Sequence, residues 1–276
     1  MATNQGPILV IGANGKTGRR VAQRLAALGR PVRAVSRSTA PRFDWEDRAT
    51  WPAALAGASA AYVAYQPDLA VPGAVETLRA FFEQALAQGV DRLVLLSGRG
   101  EEEALAAERA LQGTSADWTL LRCSWFAQNF SEAFLLDMLR DGELALPVGP
   151  VPEPFVDVED VAEVAVAALT GPGHERRLYE LTGPRALTFA QATAEIARAT
   201  GRDLRHVSIE PEAFRAGLEA ARLPKEMVDL VVYLFTTVLD GRNAQPADGV
   251  QRALGRPARE FRDYVRRTAA TDVWRA

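Results

Sequence analysis

An apolar run that ends in three glycines spaced by three constrains this chain more than any other stretch: Ile8-Leu-Val-Ile-Gly12-Ala-Asn-Gly15-Lys-Thr-Gly18. Val21, Leu25 and Leu28 follow at helical spacing. The pattern predicts a buried strand, a tight turn and a helix start. Gly12 lets the chain turn, Gly15 lets backbone approach a ligand, and Gly18 lets the helix pack close to the strand. The N–H groups that open such a helix point at an anion, and a dinucleotide pyrophosphate is the usual one. Asn14, Lys16 and Thr17 share the turn and are expected to line the same site. The spacing is G-x-x-G-x-x-G and not the general G-x-G-x-x-G. Its place after a strand and before a helix therefore carries the inference.

Strand-like and helix-like runs alternate through the first half. Strands are expected at 8–12, 31–36, 41–45, 59–64, 92–97 and 117–122, and helices at 16–28, 51–56, 71–88 and 103–112. Alternation of this kind implies an α/β fold, a Rossmann-type doubly wound parallel sheet with helices on both faces. Ligands on such sheets bind beyond the carboxyl ends of the strands. That edge should carry Ser36, Arg37, Asp44, Trp45, Tyr65, Gln66 and Ser97. After residue 123 the pattern loosens into a helix near 126–140, a proline-rich loop, a short strand at 155–158, and helices at 211–222 and 224–240.

The end of the second strand selects the cofactor. An NAD site carries an acid there to hold the ribose 2′-hydroxyl. This chain has Ser36-Arg37-Ser38 instead. Arg37 can pair with a 2′-phosphate and the flanking hydroxyls can donate to it, so NADPH is the expected cofactor. Asp44 and Trp45 fall where adenine contacts usually lie, although Trp45 serves equally well as a core residue. The expected organisation is an NADP-binding domain over 1–150, its sheet completed by parts of 151–182, and a mainly helical substrate-binding lobe over 183–276.

Composition excludes several classes. A formal charge of −3 over 276 residues gives no basic footprint for nucleic acid. No apolar run reaches membrane-spanning length, and Met1–Pro7 lacks the basic and apolar regions of an export signal. The single Cys123 suits a reducing compartment. With His174 and His206 far apart, no metal site is expected. These features point to a cytoplasmic protein, monomer or homodimer, acting on a small-molecule substrate with no nucleic-acid or membrane partner.

The glycine turn resembles that of extended, atypical short-chain dehydrogenases. Val94-Leu-Leu-Ser97, Trp118-Thr-Leu-Leu-Arg122, Trp125-Phe-Ala-Gln-Asn-Phe130, Phe155-Val-Asp-Val-Glu-Asp160 and the segment 249–264 are similar to the NmrA-like branch. Within it, Arg42-Phe-Asp-Trp45 and Thr50-Trp51 resemble ergot-alkaloid agroclavine and festuclavine dehydrogenase-like proteins. The resemblance implies that Phe126, Asn129 and Phe130 border the nicotinamide and the substrate. Phe155, and Tyr233 beside an apolar helical face, are further substrate-binding candidates. Core packing or a subunit interface would explain all of these equally.

One departure from standard short-chain dehydrogenases bears on chemistry. Their Tyr-x-x-x-Lys pair is missing from the segment after Ser97, which holds neither tyrosine nor lysine through Arg109. A ketone that receives hydride needs a proton or an oxyanion donor, whereas an iminium ion does not. An imine or iminium acceptor in secondary metabolism is therefore expected, with a quinone as the alternative and Ser97 or water as the remaining proton source. Glu101-Glu-Glu103 reads either as helix-dipole complement or as an acidic rim for a cationic substrate. A redox-sensing regulator that binds the dinucleotide without turnover is the rival reading.

Overall fold

The computed structural model describes residues 6–275. Contacts group them into two compact units. The first comprises residues up to Cys123 with Val158–Leu181 and Asp248–Arg256; the second comprises Ser124–Asp157, Thr182–Ala247 and the residues from Pro257. Residues 124–150 thus group with the second unit and 248–256 with the first, unlike the boundaries read from sequence.

The first unit holds strands β1 (Ile8–Ile11), β2 (Val32–Val35), β3 (Ala60–Val63), β4 (Arg92–Gly98) and β5 (Asp117–Cys123). Its helices are α1 (Lys16–Ala27), α2 (Trp51–Leu55), α3 (Ala74–Ala87) and α4 (Glu102–Gln112). The second unit opens with α5 (Asn129–Glu132), α6 (Leu135–Arg140) and β6 (Glu143–Leu146). The chain then returns to the first unit for α7 (Val158–Thr170) and β7 (Arg177–Leu181). The second unit continues with α8 (Phe189–Thr200), β8 (Arg205–Ser208), α9 (Pro211–Ala220) and α10 (Lys225–Tyr233). Helix α11 (Gly249–Leu254) belongs to the first unit and α12 (Phe261–Ala269) to the second.

The main sheet is parallel throughout, in the order β2-β1-β3-β4-β5-β7. Strands β1 and β3 are buried at every position, as a sheet covered on both faces requires. One core layer gathers Phe43, Trp45, Trp51, Phe81 and Phe82 under α2 and α3. On α7, the acids at its start are met by arginines. Arg20 and Arg24 of α1 bond the two oxygens of Glu159 at 2.6 and 2.5 Å, and Arg256 bonds the fully buried Asp160 at 2.7 Å.

The second unit has its own core of Phe130, Phe155, Phe189, Phe235, Phe261 and Trp274. Its two strands pair in parallel, Glu143 opposite Arg205. The capping box of Thr188 and Gln191 opens α8.

Four expected elements differ. Residues 41–45 are not a strand. Strand β3 lies directly against β1, with Ala60 opposite Ile8, and the segment instead folds inward so that Phe43 and Trp45 join the aromatic core. The expected strand at 155–158 is reduced to one bridge, Val156 with Phe126. The helix near 126–140 is broken at Ala133, which is extended at φ −149°. The helix expected at 224–240 changes after Tyr233 into a π-helical stretch over Leu234–Val238.

Candidate functional site

The glycine turn forms as its spacing implies. Gly12 takes φ +73°, a left-handed conformation that favours glycine, and its carbonyl accepts the Gly15 N–H at 2.9 Å. A Cβ on Gly18 would lie 2.7 Å from the Gly12 carbonyl carbon and 3.1 Å from Ala13 Cα. Only glycine lets α1 approach the end of β1 this closely. Gly15 is the N-cap of α1 and, as a glycine, offers no side chain to cap it. The first turn, Lys16-Thr17-Gly18, carries no acid. Asn14 is exposed at the head of the turn, and Thr17 is buried beneath it.

Beyond β2, Ser36 and Ser38 face each other at 3.2 Å between hydroxyls. Thr39 and Phe43 tie the loop back to Ser36. Arg37 is exposed and makes no hydrogen bond or ion pair among the described residues. The Asp44 carboxylate is pushed up by burial, yet the Glu46 N–H and the Arg42 guanidinium outweigh this and hold it below the ordinary value. Trp45 is buried, edge-on to Phe43 and Phe81, with Tyr65 at 4.9 Å. Its indole packs in the core, as one of the two readings open in the sequence expects.

The ends of β3 and β4 bring the remaining residues of the first unit together. Tyr65 is half-buried and Gln66 exposed, its amide 3.7 Å from a Cβ built on Gly15. The Ser97 hydroxyl donates to Glu108 at 2.7 Å. Glu108 is itself clasped by Arg122 at 2.9 and 2.5 Å, and Arg122 also bonds Glu180. Ser97 is therefore committed to a buried ion-pair network, which argues against its role as a free acid. The sequence could not show Glu108 and Arg122 as partners, because α4 and β5 meet only in the fold. Burial pushes the Cys123 thiol up, so it is an inert core group.

Residues 12–172 match the NAD(P)H-binding family. The chain belongs to that family. It is 35% identical over 277 residues to a (4-alkanoyl-5-oxo-2,5-dihydrofuran-3-yl)methyl phosphate reductase of Streptomyces griseus, covering 93% of this chain and 96% of the relative. It is 30% identical to agroclavine dehydrogenase of Claviceps fusiformis, covering 94% and 96%. Among solved structures, the Citrobacter sp. triphenylmethane reductase complexed with NADP(H) superposes with a TM-score of 0.80 at 20% identity, covering 95% and 99%. The family is thus one of NAD(P)H-dependent oxidoreductases whose members carry different acceptors in their names.

In this NAD(P)H-binding chain the substrate-side candidates divide. Phe130 and Phe155 are buried, 5.2 Å apart between ring centres, and their rings are used in core packing. This corrects their assignment as substrate contacts. Phe126, Asn129 and Tyr233 keep partial exposure in the second unit. His174 bonds the Tyr179 hydroxyl at 2.9 Å and His206 stacks on Phe189, so both histidines are structural. Among the described residues, no group of His, Cys, Asp and Glu is placed to hold a metal, and no helix is long and apolar enough to cross a membrane. Sequence reasoning missed the pairing of Asp68 with Glu101 near the end of β4. A run of three acids was visible, but not its buried partner.

Proposed function

We propose that this protein is an NADPH-dependent reductase acting on a small unsaturated organic acceptor, with an imine or iminium of secondary metabolism as the preferred class. The observation that supports the cofactor is Arg37. It is an exposed guanidinium, without a hydrogen bond or ion pair among the described residues and flanked by two hydroxyls, at the strand end where NAD sites carry an acid. The turn fits the pyrophosphate: a glycine stands at the N-cap of α1, its backbone open to close approach, and the first turn carries no acid. Asn14, Gly15, Lys16, Thr17 and Gly18 would hold the phosphates, and Ser36 with Arg37 the 2′-phosphate. When bound, the cofactor supplies a hydride. The protein's share is to orient it and to shape a dry pocket for the acceptor, with Phe126, Asn129 and Tyr233 as its proposed lining.

The acceptor class rests on the missing Tyr-x-x-x-Lys pair and on the engagement of Ser97 with Glu108. Acceptors that start charged or delocalise charge suit such a site. The deciding experiment mixes the protein with NADPH or NADH and a panel of cyclic imines, quinones and ketones, under single-turnover conditions. Imine reduction with NADPH is expected to lead. Ketones reduced as well as imines would overturn the acceptor class. Tight NADPH binding with no turnover of any acceptor would overturn the enzyme reading in favour of a redox-sensing regulator.

A further inference from the structure

Two carboxyl groups meet near the ends of β3 and β4. Asp68 lies in the loop after β3, Glu101 is the residue before α4, and their side chains hydrogen-bond to each other. Glu101 is 8% exposed, and its Oε2 is buried without a hydrogen-bond partner. Gly98, the last residue of β4, makes the seat: a Cβ there would lie 2.6 Å from Cδ of Glu101. Ligands on parallel sheets bind at this edge.

The other influences on the pair are also acidic. Glu103, in the first turn of α4, opposes ionisation of both carboxyls, and no lysine or arginine pairs with either among the described residues. Besides the Glu101 side chain, Asp68 is helped by backbone, from the Ala70 N–H at 2.9 Å and from Leu69. Two hydrogen-bonded carboxyls cannot both ionise without a counter-charge, so the pair keeps one proton. Burial first, then the Asp68 charge and hydrogen bond, then Glu103, push Glu101 up to about 9. Glu108 on the same helix shows the contrast. It is more deeply buried but clasped by Arg122. One is half of an ion pair; the other is an acid.

We infer that Glu101, holding the proton it shares with Asp68, donates that proton to the heteroatom of the acceptor as the acceptor is reduced. The inference rests on the reductase reading above. A C–H bond forms at the acceptor carbon with the electron pair that leaves NADPH, and an N–H or O–H bond forms with the Glu101 proton. The acceptor gains two electrons, NADPH becomes NADP⁺, and water returns a proton to the pair. A donor of this kind serves the neutral imines of the proposed class, whose nitrogen gathers negative charge during reduction, as well as iminium ions that arrive already charged.

Infrared spectroscopy of the cofactor-free protein, with isotope-labelled Glu and Asp, reads the proton without turnover. Wild type should show the carbonyl stretch of a protonated carboxylic acid at neutral pH, fading near pH 9. Glu101→Gln should lack it. Gly98→Ala, which moves the carboxyl from its seat and leaves its chemistry intact, should lose it at lower pH. In single turnovers, Glu101→Gln should slow reduction of a neutral cyclic imine by about 10²–10⁴-fold. A permanently charged N-methyl iminium, which needs no proton, should be slowed about tenfold less, and NADPH affinity should stay within about twofold. Absence of the band from wild type at neutral pH overturns the shared proton. Equal losses with both acceptors overturn the donor role. A wild type that shows the band but reduces no acceptor refutes the reductase reading, and the donor role with it, while the shared proton stands.

Discussion

Gly15 and Gly18 stand three residues apart in one turn, and the structure gives them different tasks that two alanine variants separate. A methyl on Gly18 would lie 2.7 Å from the Gly12 carbonyl carbon and 3.1 Å from Ala13 Cα. Comfortable carbon contacts begin near 3.5 Å, so α1 would have to move away from the end of β1. Both neighbours are backbone, and α1 is tied to α7 by the Arg20 and Arg24 pairs with Glu159. Overpacking of this kind costs about 1–3 kcal/mol, which lowers the melting temperature of a chain this size by about 2–12 °C. A methyl on Gly15 would meet the Gly12 oxygen at 3.2 Å and the Gln66 amide at 3.7 Å, and φ −77° there suits any residue. Its stability cost is below about 1 kcal/mol, mostly the poorer N-cap. The same methyl would stand where a pyrophosphate must touch backbone. Gly15→Ala is therefore expected to fold normally and to bind NADPH at least about tenfold more weakly, or about 1.4 kcal/mol. Differential scanning calorimetry and isothermal titration with NADPH read the two effects. Wild-type affinity in folded Gly15→Ala would refute the phosphate role of the turn. An unchanged melting temperature in Gly18→Ala would refute the packing argument.

Arg37→Ala should weaken NADPH by about 1.5–3 kcal/mol, roughly 10- to 100-fold, while NADH binding stays level; an unchanged ratio of dissociation constants removes Arg37 from the 2′-phosphate. The Glu159 carboxyl is pushed up by burial, but the hydrogen bonds from Arg20 and Arg24 outweigh this and hold it below its ordinary 4.5. A depressed folded value contributes stability above the unfolded value, which is lost as pH falls through the folded one. Urea midpoints should therefore drop on acidification below about pH 4.5, and less steeply in Glu159→Gln; parallel pH profiles would show that the pairs contribute nothing measurable.

The sheet and its cofactor edge were legible in the order of residues. Ile8–Ile11 and Ala60–Val63 are apolar at every position, which only strands covered on both faces need. The glycine spacing likewise required a turn with one left-handed residue and one point of close approach, because backbone sterics depend on residue type alone. Arg37 stands out in sequence for a similar reason: it closes the second strand, at a fixed distance along the chain from the turn. Residues 41–45 misled because Phe43 and Trp45 alternate like a strand, while their partners, Trp51 and Phe81, come from α2 and α3. Phe130 and Phe155 looked available to a ligand until the fold set them ring to ring. The tertiary structure alone decided the fate of the carboxylates. Glu101 and Glu108 lie seven residues apart and look alike in sequence, yet one meets Asp68 and the other Arg122. Whether a buried carboxyl is an acid or half of an ion pair depends on the charge that folding brings to it.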